Sequence, residues 1–112
     1  MKCCPKDNDI EEEWKLNLEH NVKLNEKEID TTCKFFKVLS NPTRLKIAYH
    51  LLNQDYCVKA LVYALEQKQN LISHHLSVMK VNGVVETFKK SNYTYYHLNP
   101  EIRKLLDHHK RV

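Results

Sequence analysis

A mainly helical domain with one β-hairpin between its last two helices is the fold class the sequence predicts. Three observations predict it. Apolar residues recur at helical spacing through most of the chain. Two short β-rich runs flank a polar turn near residue 90, and the single glycine stands just past the end of a polar-faced helix. With 112 residues, 42% hydrophobic and 29% charged, the composition is that of one globular domain with a modest core.

The elements follow in order. Residues 1–10 are polar and are expected to form a mobile N-terminal arm, leaving 11–112 as the folded domain. From about Glu11 to Asn25, Trp14, Leu18 and Val22 recur every fourth residue, which predicts a moderately amphipathic helix. Ile29, Cys33, Phe36 and Leu39/Ser40 mark a second apolar stripe, thickened by Phe35 and Val38. On that stripe Cys33 reads as a small core residue, since free cysteine is among the most buried types. Ser40-Asn41-Pro42 reads as a restart, with Asn41 capping free N–H groups and Pro42 in the first helical position. Leu45, Ile47, Ala48, Leu51 and Leu52 carry this third helix to Asn53, and a short fourth runs from about Val58 to Glu66. Gln67-Lys68-Gln69 leads to a fifth, from about Asn70 to Asn82, which stops at Gly83. Val84–Phe88 and Tyr93–Leu98 form the hairpin around Lys89-Lys90-Ser91-Asn92, where Asn92 tolerates positive φ. Pro100 opens the last helix, with Ile102, Leu105, Leu106 and His109 at i, i+3, i+4 and i+7. This order describes a winged helix–turn–helix.

Absent motifs remove several function classes. One glycine cannot build a phosphate-cradling loop or a dinucleotide fingerprint, and no H-E-x-x-H, C-x-x-C or G-x-S-x-G occurs. An enzyme is not expected. No apolar run approaches the roughly 20 residues of a membrane span, and residues 1–7 offer no apolar stretch to serve as a secretory signal. The expected location is the cytoplasm, with no membrane partner, where four cysteines serve as thiols or metal ligands rather than as a disulfide framework.

Charge divides unevenly. Residues 1–30 carry nine acids against five lysines, whereas residues 31–112 carry 13 Lys and Arg against five acids. A basic body of this kind suits nucleic acid, although an ordinary solvated surface gives the same excess. The fifth helix separates the two readings. With side chains turning by about 100° per residue, Ile72, Leu76 and Met79 face the core, while Asn70, Ser73, His74 and Ser77 form an uncharged hydrogen-bonding face. Such side chains donate to and accept from base edges in the major groove of a DNA duplex. His75 falls beside the apolar stripe and reads as a packed, hydrogen-bonded histidine. Lys89 and Lys90 stand at the hairpin tip, close to where a phosphate backbone would lie. Of Tyr93, Tyr95 and Tyr96, at least two are expected to pack in the sheet rather than stack on bases.

Leu39-Ser40-Asn41-Pro42-Thr43-Arg44-Leu45-Lys46-Ile47, Asp55-Tyr56-Cys57-Val58, Ser73-His74-His75-Leu76, Gly83-Val84-Val85 and Tyr95-Tyr96-His97-Leu98 together resemble the ArsR/SmtB family of metal- and metalloid-responsive repressors. The resemblance covers about residues 29–100. It implies a homodimer joined by the first and last helices, including Trp14 and Leu18, that represses from double-stranded operator DNA until an inducer relieves it. Ile102, Leu105 and Leu106 independently suggest an interface, because a domain this small covers such a stripe poorly by itself. The chain also departs from the family. Glu66 stands where a glycine is usual in the helix–turn–helix, Cys57-Val58-Lys59 replaces C-V-C, and the zinc ligands of the last helices are missing.

The resemblance places a metal thiolate at Cys57. Cys3 and Cys4, on the arm, could complete a trigonal thiolate site suited to As(III) or Sb(III), or to Cd(II) or Pb(II), acting as inducer with no constitutive cofactor. Two other readings stay open. One is a thiol-redox-responsive repressor of the same fold, and the other a winged-helix protein-interaction module without an operator.

Overall fold

The computed structural model describes residues 8–21 and 24–110. Contacts divide the chain into two units, Met1–Asp30 and Thr31–Val112. This boundary coincides with the change from the acidic to the basic part of the sequence.

The first unit holds α1 (Asn8–Asn21) and the start of α2 (Glu26–Leu39). The first helix takes in residues 8–10, read from sequence as arm, and its early acids Asp9 and Glu11 suit the positive end of the helix dipole. Glu11 and Lys15 pair at 3.1 Å one turn apart, on the surface. Trp14 is half-buried and Leu18 exposed. Val22, third member of the predicted stripe, lies outside the described residues. Asn25 caps α2 by accepting from the amide of Lys27 at 2.9 Å.

The second unit continues through α3 (Pro42–Asn53), β1 (Tyr56–Cys57), α4 (Val58–Leu65), α5 (Gln69–Val81), β2 (Val85–Lys90), β3 (Tyr93–Leu98) and α6 (Pro100–Lys110). The winged helix–turn–helix is therefore present. Asn41 caps α3 as expected, accepting from the amides of Thr43 and Arg44, with Pro42 at the helix start. Phe35, Leu39, Ile47, Leu51, Leu61, Ile72, Leu76, Met79, Val84, Leu98 and Ile102 lead the core, so every helix of this unit contributes to it.

The sheet has the order β1-β3-β2, antiparallel throughout. Its first strand is only two residues long and was not predicted; it exists because Tyr56 and Cys57 pair with Tyr96 and Tyr95 of the hairpin. Tyr95 stacks on Phe88, ring centroids 5.7 Å apart, and both Tyr95 and Tyr96 are partly buried, as expected of sheet tyrosines.

Three expectations are corrected. Cys33 is exposed, because the buried face of α2 is Phe35, Val38 and Leu39. The stripe containing Ile29, Cys33 and Phe36 lies on the other side and is solvent-accessible. The hairpin turn is the pair Ser91-Asn92, both at positive φ (52° and 67°), so Lys89 and Lys90 belong to β2 rather than to the turn. Ile102 and Leu106 are buried in the chain's own core, so no partner is needed to cover them; Leu105 alone of the three is exposed.

Candidate nucleic-acid interface

The interface begins at the turn between α4 and α5. Glu66 ends α4 in the left-handed conformation, φ 55° and ψ 41°, with its amide donating to the carbonyl of Val62. The backbone thus makes here, with a β-carbon present, the bend that glycine makes at no steric cost. From this turn α5 departs with Ile72, Leu76 and Met79 fully buried. That anchoring fixes the opposite side. Asn70, His74 and Ser77 are exposed and Ser73 is half-buried, so the predicted hydrogen-bonding row is brought together on one face.

His75 is only 8% exposed, and Arg44 of α3 donates from Nε to its Nδ1 at 3.1 Å. Accepting at Nδ1 requires the tautomer that carries its proton on Nε2. Burial lowers the pKa of His75 below the ordinary 6.5, with the Arg44 guanidinium and then His74 adding to the shift. A neutral imidazole therefore ties α5 to α3 behind the exposed row. Sequence reasoning finds His75 as packed but misses Arg44, which sits inside the Asn-Pro-Thr-Arg segment. It also misses Leu71 and Val81, apolar residues of α5 that are 40% and 86% exposed. Periodicity marks only the deepest stripe.

A glycine-centred cap ends α5. The amide of Val84 donates to Met79 O and that of Gly83 to Lys80 O, with Gly83 at φ 74°. This is the Schellman arrangement, and it turns the chain directly into the wing. Lys89 and Lys90 are both exposed, but as strand neighbours they point to opposite faces. Lys90 shares a face with Tyr93, Phe88 and Tyr95, whereas Lys89 pairs with Thr94 on the face that carries Val85 and Leu98.

Cys57 stands apart from this surface. It is half-buried at the start of α4 and lines a groove of about 660 Å³ together with His50, Tyr56, Lys59, Ala60, Tyr63 and Ala64. Beside it, His97 Nδ1 and Asp55 Oδ1 meet at 2.7 Å and tie β3 to the end of the α3–β1 connection. Among the described residues, no three His, Cys, Asp or Glu side chains gather into a metal-ligand set. Cys3 and Cys4 lie outside the described residues.

A buried-faced helix with a polar outer row, set after a short helix and before a lysine-bearing hairpin, is the architecture of winged helix–turn–helix transcriptional regulators, which bind DNA. The family model for the bacterial regulatory proteins of the arsR family matches residues 41–87, from the cap of α3 into the wing. An uncharacterized HTH-type transcriptional regulator of Methanocaldococcus jannaschii is 34% identical over 83 residues, 70% of this chain and 93% of that protein. The arsenic resistance transcriptional regulator ArsR1 of Pseudomonas putida is 33% identical over 82 residues, 72% of this chain but 64% of its own length. Among solved structures, HlyU from Vibrio cholerae superposes with a TM-score of 0.72 at 28% identity, covering 78% of this chain and 96% of that one. The chain belongs to the ArsR family of DNA-binding transcriptional regulators. Its relatives are regulators rather than enzymes, and no described helix is long and apolar enough to cross a membrane.

Proposed function

We propose that this chain is a homodimeric cytoplasmic repressor that reads one operator half-site per subunit with α5 and leaves the DNA when a thiophilic ion binds. The exposed, uncharged row of Asn70, His74 and Ser77, with Ser73 beside it, carries the reading. Its groups match base edges, and the apolar contacts and the Arg44–His75 bond behind it hold it still. Lysines of the wing supply phosphate contacts that position without specifying.

The inducer assignment is supported by the donor chemistry and by the similarity to an arsenic resistance regulator. Cys57 is half-buried in the lining of its groove and offers one soft ligand. One thiolate does not hold an ion, and no set of three metal-ligating side chains forms among the described residues, so the proposal takes its other thiolates from Cys3 and Cys4. As(III) or Sb(III), and then Cd(II) or Pb(II), fit three thiolates.

A DNA-binding titration on duplexes from the chain's own promoter region, under reducing conditions, tests this reading. A sequence-preferring complex is expected whose affinity falls steeply with salt. Ser73→Ala or His74→Ala should cost about 1–3 kcal/mol on the operator and little on random DNA. Added As(III) should release the wild type but not Cys57→Ser, and release by oxidant alone would replace the ion with a redox signal. Absence of any sequence preference would sink the proposal.

A further inference from the structure

We propose that the groove between α3 and α4 is a binding site for a planar aromatic carboxylate. Its shape, its charge and the end of its helix each point the same way.

Shape comes from α4. Ala60 and Ala64 stand one turn apart and put two methyl groups where larger side chains would close the space. Tyr56 and Tyr63 add aromatic rings to the lining. Tyr63 is 88% exposed, a large ring that the core of its own unit leaves uncovered. The volume, about 660 Å³, lies within the range of small-molecule sites and exceeds what a bare inorganic anion would fill. A flat ring laid on the two alanines buries apolar surface, and the tyrosines of the lining offer it aromatic contact.

Charge selects an anion. Lys59 and His50 line the groove, and no aspartate or glutamate does. The carboxylate of Asp55, adjacent in sequence to Tyr56, is engaged by His97. No ion-pair partner of the Lys59 ammonium is found among the described residues.

The third observation is backbone. Cys57 occupies the cap position of α4 but makes no side-chain cap hydrogen bond. The amides of the first turn, Lys59 and Ala60 among them, therefore lack the side-chain oxygen that usually satisfies them. A carboxylate supplies such oxygens, and the helix dipole favours its charge there. One ligand thus meets three needs of the groove: a ring for the apolar walls, an anion for Lys59, and acceptors for the helix start.

Cys57 is not required for this binding. The site therefore differs from the proposed thiolate site, although the two adjoin, and occupancy can be measured without DNA.

The test is isothermal titration of the reduced full-length chain with 2-naphthoate and, as the uncharged control, 2-naphthamide. One saturable site per chain is expected for 2-naphthoate, with the amide at least about tenfold weaker, as the loss of a charged hydrogen-bond acceptor predicts. Lys59→Met should weaken 2-naphthoate by about tenfold and narrow the gap between acid and amide. Ala64→Leu should abolish binding by filling the floor, and Tyr63→Ala should weaken both ligands; both positions are solvent-exposed, so thermal melts should match the wild type. Cys57→Ala, which removes the thiol without supplying a cap oxygen, should bind like the wild type. Absence of saturable binding at millimolar ligand would overturn the proposal. So would equal affinity for acid and amide, binding unaffected by Ala64→Leu and Tyr63→Ala, or loss of binding in Cys57→Ala. None of these outcomes bears on operator reading, whose failure would be seen only with DNA present.

Discussion

Glu66 shows what a single residue tolerates when its neighbours fix the path. A β-carbon in the left-handed region costs about 1–2 kcal/mol. The turn nevertheless forms, because α4 and α5 are held by the fully buried Leu61, Ile72 and Leu76. Glu66→Gly should relieve that strain while adding freedom to the unfolded chain, so a net gain of about 0.5–1 kcal/mol is expected. A higher urea midpoint at unchanged slope is the check. His75 carries a different load. Burial and the Arg44 guanidinium make its folded form bind a proton less well than the unfolded chain does. Between the two pKa values the unfolded state holds more protons, so stability there rises with pH. The contribution of His75 is complete above its ordinary 6.5 and is lost as pH falls below that toward the lowered folded value. Urea midpoints measured across this range should therefore drop more steeply for the wild type than for His75→Gln. Arg44→Gln should fall in between, since the nearby positive charge is gone but the burial remains.

The start of α3 and the end of α5 were legible in the sequence because each has a local cause. Asn41-Pro42 starts α3 by capping chemistry, and Gly83 ends α5 because only glycine adopts φ 74° without strain. Gly83→Ala should accordingly cost about 1–2 kcal/mol from backbone strain alone. A clash plays no part, since an added β-carbon would stand 3.8 Å from Phe35, an ordinary contact. The phase of α2 was not legible. Six apolar residues on one helix, Ile29, Cys33, Phe35, Phe36, Val38 and Leu39, permit two stripes on different sides, and only tertiary packing decides that Phe35, Val38 and Leu39 turn inward. The first strand was equally hidden, since a two-residue pairing has no period and is created by its partner. Among candidate site residues, Asn70, Ser73, His74 and Ser77 fell where helical geometry put them, whereas the lysines moved from turn to strand. Their opposite orientation makes the two lysines unequal. Lys89→Ala and Lys90→Ala should therefore affect DNA binding differently, with one reducing the salt slope by about 1 and the other by much less. Affinity measured from about 50 to 200 mM salt distinguishes this from an equal pair.

At the scale of the whole molecule, an acidic first unit precedes a basic second one. The last helix shows how a small domain divides its apolar residues between folding and association. Ile102→Ala removes a fully buried side chain and should cost about 2–5 kcal/mol of stability. Leu105→Glu alters an exposed one, so the chain should stay folded, its melt lowered only by the loss of association, while sedimentation reports monomers in place of the proposed dimer. Asn99 joins that helix to the rest. Its side-chain amide donates to Gly83 O at 2.8 Å, its backbone amide to Val84 O at 2.9 Å, and its Oδ1 accepts from the amide of Glu101. One turn later Arg103 forks onto the carbonyls of Leu51 and Leu52 at the end of α3. In mechanical terms this is a pinned linkage. The start of α6, the end of α5 and the end of α3 share two fasteners, so a swivel of any one rod breaks or strains bonds to another. A displacement of α6 would therefore strain the bonds at the end of α5, the helix that carries Asn70 and His74.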